Sequence, residues 1–364
     1  MAGIRKKAGL LLGMILGMIF LFGVSSALAA FPPVQPAQGP GGADYIHGRV
    51  IKTVQGSGDQ AYYLFEPDEP RPDTAPLIVF LHGWGGTNPD YYHTWIEHLV
   101  KKGNIVVFPV YQSWGSLLSS NRYNSNCLEA ITAAIRMLQS GDHVRPDLDR
   151  LAIVGHSVGG ILALNIAVLA QQSGLPVPKA IMSVEPKRAP MLSLEDVSAI
   201  SSRTLLLVVT GDQDGLSSDD AARIFRNTSQ IPLKNKDFVT LVSDDYGDPP
   251  LIADHLAPVS NAAGGRILLG IVGTACTDAL DYYGTWKLFD ALTDAAFFGK
   301  NREYALGNTV QQRYMGRWSD GRPVKELIIT DHPQPRSRNG LRQLIPRLRS
   351  RERQSAETGH RGGS

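Results

Sequence analysis

The chain has 364 residues, of which 43% are hydrophobic and 19% are charged. That composition excludes a disordered or collagen-like chain, and the length allows one large domain or two smaller ones. Lys and Arg together number 36 against 34 for Asp and Glu, so the net charge of +2 gives no general case for nucleic-acid binding. The two cysteines, Cys127 and Cys276, exclude a disulfide-dense scaffold and a four-cysteine zinc site; their spacing leaves open whether they pair.

The charge is distributed unevenly along the chain. Residues 1–30 carry +3, and residues 334–364 carry eight arginines and two glutamates, so the middle is acidic at about −7. The end of the chain, 333–364, is rich in Arg, Ser and Gly and is predicted to be a disordered basic tail. Such a tail is either a solubilising end or a weak contact for an anionic envelope surface.

The first residues have the pattern of a targeting signal. Three basic residues, Arg5, Lys6 and Lys7, precede an uncharged apolar stretch that ends in an A-x-A site. This order predicts a signal peptide over 1–29, cleaved after Ala29, and export to the periplasm or the medium. An uncleaved N-terminal membrane anchor is the alternative. The Pro- and Gly-rich segment 30–43 is expected to be a linker that contributes nothing to a core.

Strand and helix patterns alternate through the middle of the chain. Two short strands come first, at 45–54 and 61–65. Mostly apolar runs then predict buried strands at 77–81, 105–110, 151–154, 180–184, 204–210 and 238–242. Helical spacing predicts helices at 90–102, 125–138, 158–171, 219–226 and 281–298. The alternation predicts an α/β fold in one domain, 44–332: a mostly parallel central sheet with helices on both faces and the first two strands at its edge.

The strongest chemical signal is the motif Gly-His-Ser-Val-Gly at 155–159. It directly follows an apolar strand and directly precedes a helix, which is the context of a serine nucleophile held on a tight turn. In such a turn the residues two before and two after the serine crowd each other, so Gly155 and Gly159 suit those positions. The turn also points the free N–H groups of the helix N-terminus at the reaction centre. We therefore take Ser157 as the candidate nucleophile.

A serine hydroxyl needs a base, and in this arrangement the acid and then the histidine follow the serine along the chain. That order excludes six histidines: His47, His82, His93, His98, His143 and His156. Of the later ones, His360 lies in the tail and His332 follows the last predicted strand. His255 lies in a loop beyond a strand end, where a base is needed, and is our candidate.

The third member is a carboxylate that orients the imidazole and stabilises its positive charge. The strand at 204–210 leads into Gly-Asp-Gln-Asp-Gly, and Asp214, one turn past the strand end, is our candidate. Asp212 is the close alternative and is expected to shape the turn. Glu185, at the end of the preceding strand, is a further candidate with a structural role as its alternative.

An oxyanion formed at the serine also needs hydrogen-bond donors. A glycine-rich loop, His-Gly-Trp-Gly-Gly at 82–86, follows the strand at 77–81. The backbone N–H of Val158 and that of Trp84 are the candidate donors. The aromatic residues Tyr111, Trp114 and Tyr123 either line an apolar cleft together with Trp84 or pack in the interior.

Together these motifs, in this order, resemble the α/β-hydrolase family. The loop at Asp254–Pro258 and the helix at 283–292 look most like those of the secreted cutinase-like and polyester-hydrolase group, and of chlorophyllase- and platelet-activating-factor-acetylhydrolase-like enzymes. The resemblance implies hydrolysis of carboxylic esters through an acyl-enzyme. It also implies that Ser157, Asp214 and His255 form the catalytic triad. The long gap between Asp214 and His255, the apparent insertion at 261–280 and the extension at 301–332 depart from the pattern and leave the substrate open.

The sequence thus predicts an exported serine ester hydrolase that is carboxylesterase- or lipase-like, acts on a small or lipid-like ester, and has no nucleic-acid partner. Acyl transfer to an envelope alcohol or lipid is one alternative, and a non-catalytic binding protein on the same scaffold is another. No cofactor or metal is expected: His93 and His98 lack the i, i+4 spacing of a helical zinc pair, and the glycine runs lack the Lys-Ser/Thr of a phosphate loop.

Overall fold

The computed structural model describes residues 29–113, 115–260 and 275–334. Within these ranges the strands form one sheet. In chain order they are β1 Arg49–Gln55, β2 Tyr62–Asp68, β3 Thr74–Leu81, β4 Ile105–Pro109, β5 Arg145–His156, β6 Ala180–Val184, β7 Leu205–Gly211, β8 Lys236–Leu241 and β9 Ile328–Thr330.

The strand order across the sheet is β1-β2-β4-β3-β5-β6-β7-β8-β9. The six strands from β3 to β8 run parallel. At one edge β1 and β2 form an antiparallel pair, and β2 lies antiparallel to β4. This confirms the predicted mostly parallel sheet and its antiparallel edge. The short strand β9 was not predicted; it pairs antiparallel with β8 at the other edge over only three residues.

Helices cover both faces of this sheet, as predicted. They are α1 His93–Lys101, α2 Tyr123–Leu138, α3 Val158–Leu169, α4 Ser218–Asn227, α5 Lys287–Phe298 and α6 Val310–Arg313. Side chains of α2, α3 and α4 pack in one apolar core, and those of α1 and α5 pack in a second core on the opposite face. Strand β3 shows why: Leu77, Val79 and Leu81 face the first core, while Ile78 and Phe80 face the second.

The helix predicted at 281–298 is two segments. A π-helical turn, Leu280–Trp286, leads into α5. Gly284 in that turn lies against β8, since a Cβ at this position would come within 2.8 Å of a methyl group of Leu241. The other predicted elements exist, with ends that differ by a few residues.

The segment 30–43 packs on the domain, so the expectation that it contributes nothing to the core is wrong. Ala30 is buried, and its carbonyl oxygen accepts a 2.9 Å hydrogen bond from Asp248 N–H. Phe31 N–H donates to Ser319 Oγ at 2.9 Å, and Gly41 N–H donates to Asp290 Oδ2 at 2.8 Å. Proline and glycine weaken helices and strands, but they do not prevent backbone hydrogen bonds to a neighbouring surface.

The predicted signal peptide and nearly all of the predicted tail lie outside the described residues. In the described ranges, no helix has both the length and the apolar character needed to cross a bilayer. The thiols of Cys127 and Cys276 are both free, Cys127 buried and Cys276 partly exposed.

Candidate active site

Ser157 lies on the sharp turn between β5, which ends at His156, and α3, which begins at Val158. Its φ of +56° lies in a backbone region that residues other than glycine rarely adopt. The flanking glycines are required by close backbone contacts. A Cβ on Gly155 would lie 2.0 Å from the carbonyl oxygen of Gly159, and a Cβ on Gly159 would lie 2.1 Å from that of Leu81. The sequence therefore permits the turn only because both positions lack a side chain.

The turn brings Ser157 into contact with the two side chains selected as its partners. His255 Nε2 lies 2.9 Å from Ser157 Oγ, and His255 Nδ1 lies 3.1 Å from Asp214 Oδ1. In the chain, Asp214 is 41 positions and Ser157 is 98 positions before His255, and all three side chains are buried. The arrangement has the connectivity that converts a serine hydroxyl into a nucleophile, with the base held by a carboxylate.

Asp214 is held as an anion by its surroundings. Burial alone would raise its pKa, but hydrogen bonds from His255, the Ser217 hydroxyl and the Leu216 N–H keep the pKa below its ordinary value. The Leu216 N–H lies 2.8 Å from Oδ1. Asp214 therefore stays ionised at neutral pH and can stabilise a protonated His255.

Asp212 has the turn-shaping contacts expected of it. Its Oδ1 accepts hydrogen bonds from Ser243 N–H at 3.0 Å and from Ser243 Oγ at 2.5 Å. Ser243 Oγ in turn accepts from Ala253 N–H at 2.9 Å, and Ala253 O accepts from Gln213 N–H at 3.0 Å. These bonds tie the loop that carries His255 to the turn that carries Asp214.

The glycine-rich loop after β3 lies directly against the nucleophile. A Cβ on Gly83 would be 3.3 Å from Ser157 Cβ, so a larger residue there would press on the serine. Val158 is the first residue of α3, where a helix leaves its N–H without an intrahelical partner. The indole N–H of Trp84 donates to Leu117 O at 3.0 Å, which fixes the loop against the segment after β4. Val158 and the loop that contains Trp84 thus adjoin Ser157 from two elements.

A hydrogen-bond chain that the sequence analysis missed connects these loops. Gly83 N–H donates to Tyr92 Oη at 3.0 Å, and the Tyr92 hydroxyl donates to His156 Nδ1 at 2.8 Å. His156 Nε2 then donates to the backbone oxygen of His255 at 2.9 Å. Burial, followed by the proximity of His255, lowers the pKa of His156 to about 3, so this imidazole is neutral and serves as a spacer between the loops. Tyr92 carries no motif, so only its spatial position could have indicated this role.

Glu185 lies beside the triad but takes no part in its hydrogen bonds. Its Oε2 is 3.4 Å from His156 Nε2 and 3.9 Å from His255 Nδ1. The ligand atoms of these three side chains lie within 4.8 Å of one another, a spacing that a metal ion could bridge. Two of those atoms are already engaged, His156 Nε2 by His255 O and His255 Nδ1 by Asp214. We therefore interpret the two imidazoles as engaged within the site, with Glu185 beside them, rather than as metal ligands.

Two of the aromatic residues considered for the cleft, Tyr111 and Tyr123, lie in the interior. Tyr111 and Tyr123 have no exposed surface and belong to the first core; Tyr111 stacks on His82 with ring centroids 4.1 Å apart. Their role is packing. Trp84 is partly exposed beside Ser157, and Trp114 lies outside the described residues.

Part of the chain is similar to known proteins. A family model described as chlorophyllase matches residues 52–194, which include the glycine-rich loop, the serine motif and Glu185. A search of curated proteins found no match. Many solved structures match, among them a fungal esterase from Rhizomucor miehei. That match has 18% identity and a TM-score of 0.39, and it covers 55% of this chain and 76% of that chain. The sheet topology is that of the α/β-hydrolase fold, and over residues 52–194 the chain is similar to the chlorophyllase family.

Proposed function

We propose that the protein is an exported serine carboxylic-ester hydrolase that acts through an acyl-enzyme. The observation that carries the proposal is the continuous contact from Ser157 Oγ through His255 to Asp214, at 2.9 and 3.1 Å. The similarity to the chlorophyllase family supports an esterase-like hydrolase.

In the proposed mechanism Ser157 attacks the ester carbonyl carbon while His255 Nε2 takes the hydroxyl proton. Asp214 stabilises the imidazolium, and the backbone N–H groups of Trp84 and Val158 donate to the oxyanion. His255 then gives its proton to the leaving alcohol. Water, deprotonated by His255, attacks the acyl-enzyme and releases the acid with Ser157 restored.

Export is the second part of the proposal. It rests on the basic, apolar and A-x-A order of residues 1–29 and places the mature enzyme in the periplasm or the medium. Under this proposal the mature chain begins at Ala30, a residue that is buried against the domain. An N-terminal membrane anchor is the alternative.

Exposed apolar side chains on loops at the end of the sheet that carries Ser157 favour esters with an apolar part. Leu118, Met191 and Leu216 are 78%, 53% and 41% exposed, on segments that follow the carboxyl ends of β4, β6 and β7. We call these three residues the apolar rim. A 3.1 Å hydrogen bond from Met191 N–H to Ser120 Oγ joins two of the segments, and Leu216 is two residues past Asp214. Exposed apolar side chains on loops at the same end of the sheet as a reactive group are suited to bind an acyl chain or an apolar alcohol.

The nucleophile is tested by active-site labelling. We expect the protein to hydrolyse a short-chain nitrophenyl ester and to be labelled once by a fluorophosphonate, with the adduct at Ser157 by peptide mass spectrometry. His255→Ala should slow labelling strongly, because the base is lost. Labelling at a different residue, or none, would contradict the proposal. Product analysis with an added alcohol acceptor distinguishes hydrolysis from acyl transfer.

The apolar rim is tested by chain-length dependence. Leu118→Ser and Met191→Ser should each lower kcat/KM for a long-chain nitrophenyl ester by about 5- to 20-fold, since each removes about 1–2 kcal/mol of apolar contact. The acetate ester, which is too short to reach the rim, should change less than about 2-fold. The matched control is Leu233→Ser. Leu233 is 50% exposed and lies before the amino end of β8, at the opposite end of the strands from Ser157. Equal losses on both esters would contradict a role in acyl binding.

A further inference from the structure

We propose that Glu185 is a reserve positioning residue, able to replace Asp214 as the hydrogen-bond partner of His255. The inference rests on the proposed function, since it concerns the orientation of the base in that mechanism. Its basis is the placement of a second carboxyl group, from a different strand, next to the same imidazole nitrogen.

The geometry places Glu185 within reach of His255. The residue directly follows β6 at φ +46°, an unfavourable backbone conformation for a residue with a side chain. From there Oε2 lies 3.9 Å from His255 Nδ1, so a movement of about 1 Å would give hydrogen-bond distance. The Asp214 oxygen occupies that hydrogen-bond position now, at 3.1 Å.

The Glu185 carboxyl group is buried without an evident structural purpose. It has no exposed surface, and neither oxygen has a hydrogen-bond partner among the described residues. Burying a polar group without such a partner costs several kcal/mol at most sites, so a purely structural role would be served better by an apolar side chain.

The charged neighbours of Glu185 explain why it is idle while Asp214 is present. The titratable groups around it are Tyr92 before α1, His156 from β5, Asp214 after β7, and Asp254 and His255 from the loop Asp254–Pro258. Burial, then the negative charges of Asp214 and Asp254, raise the pKa of Glu185 well above its ordinary value. This shift favours the neutral form of Glu185, so Asp214 supplies the charge that His255 needs.

Removal of Asp214 changes that balance. The loss of its negative charge lowers the pKa of Glu185, although burial and Asp254 still hold it above the ordinary value. The Nδ1–H of His255 then faces Glu185, and as the pH rises the carboxyl group ionises by releasing its proton to solvent. The ionised group accepts the hydrogen bond from His255 and keeps the imidazole in the tautomer that the reaction requires.

The test is a double-mutant cycle on Asp214→Ala and Glu185→Gln in the full-length protein. The rates measured are fluorophosphonate labelling of Ser157 and turnover of a nitrophenyl ester. A triad that loses its acid typically slows by about 10⁴-fold. We expect Asp214→Ala to retain activity within about 100-fold of wild type, and the double variant to lose at least about 100-fold more.

Glu185→Gln alone is the matched control. Glutamine copies the shape of the neutral acid, so this variant should be within about 3-fold of wild type. Asp214→Ser is a second background that keeps a polar group near the Leu216 N–H, in case Asp214→Ala fails to fold.

The pH profile distinguishes the inference from a structural effect. Asp214 has a lowered pKa, so in the wild type it stays ionised as the pH falls toward its ordinary value. In Asp214→Ala the activity should rise with pH over a higher range, because the raised pKa of Glu185 now limits it, and Glu185→Gln should abolish this limb.

The outcomes separate the two proposals. If wild-type Ser157 is not labelled and no ester is hydrolysed, the proposed function fails and this inference falls with it. If the wild type is active but Asp214→Ala is as slow as the double variant, the reserve role alone is wrong. A large loss in Glu185→Gln by itself would also overturn it, since that result requires Glu185 to act while Asp214 is present.

Discussion

Ser157→Ala should lower kcat for ester hydrolysis by about 10⁵- to 10⁶-fold, the largest effect expected of any single side-chain change in the site. The reason is that the rest of the proposed machinery works only through this hydroxyl. His255 takes its proton, Asp214 stabilises the resulting imidazolium, and the backbone donors bind an oxyanion that forms only after attack. The small residual rate over the uncatalysed reaction would come from substrate binding and those donors.

The measurement is initial-rate kinetics on a soluble nitrophenyl ester, together with the unfolding midpoint of the variant. The midpoint should be close to that of the wild type, because the change removes one oxygen from a folded site. Ser198→Ala is the matched control, since Ser198 lies in the short 3-10 turn Val197–Ala199 and both its N–H and its hydroxyl donate to Asp196 Oδ1 nearby. Activity of Ser157→Ala above about 10% of wild type would overturn the assignment of the nucleophile.

The parts of the site that were predicted from the sequence share one property: each lies in a segment that follows the carboxyl end of a strand. In a parallel sheet the carboxyl ends of the strands meet at one edge, so the chain order of Ser157, Asp214 and His255 was enough to select three side chains that prove to be in contact. The glycines of the turn were likewise predictable, because their spacing reflects a local steric requirement.

The residues that the sequence did not predict act across elements that are not neighbours in the chain. Tyr92 belongs to a short turn before α1, and nothing around it indicates that its hydroxyl joins Gly83 to His156. The same holds for β9, whose three residues gain their partner only when the chain returns to β8. The position of Glu185 could be predicted from the sequence but its burial could not, and burial is what makes an unpaired carboxyl group informative.

Gly155→Ala and Gly159→Ala should each destabilise the protein by at least about 4 kcal/mol, more than most single substitutions. The added Cβ on Gly155 would meet the carbonyl oxygen of Gly159 at 2.0 Å, and the one on Gly159 would meet that of Leu81 at 2.1 Å. Both obstacles are backbone atoms, so relief requires that β3, β5 and α3 move apart. These elements lie at the centre of the sheet and of the first core, where close packing leaves no free volume to absorb the shift.

Denaturant unfolding of the variants measures this cost directly, since a loss of about 4 kcal/mol is a large part of the 5–15 kcal/mol typical of a folded protein. Gly115→Ala is the matched control: its added Cβ would meet nothing within 4 Å, and its stability should change by less than about 1 kcal/mol. Activity distinguishes the glycine variants from Ser157→Ala. A glycine variant that still folds carries all the reacting groups but holds Ser157 on a displaced turn. If Gly155→Ala and Gly159→Ala both unfold at the wild-type denaturant concentration, the turn is not closed by these backbone contacts, and the steric origin of the glycine spacing is wrong.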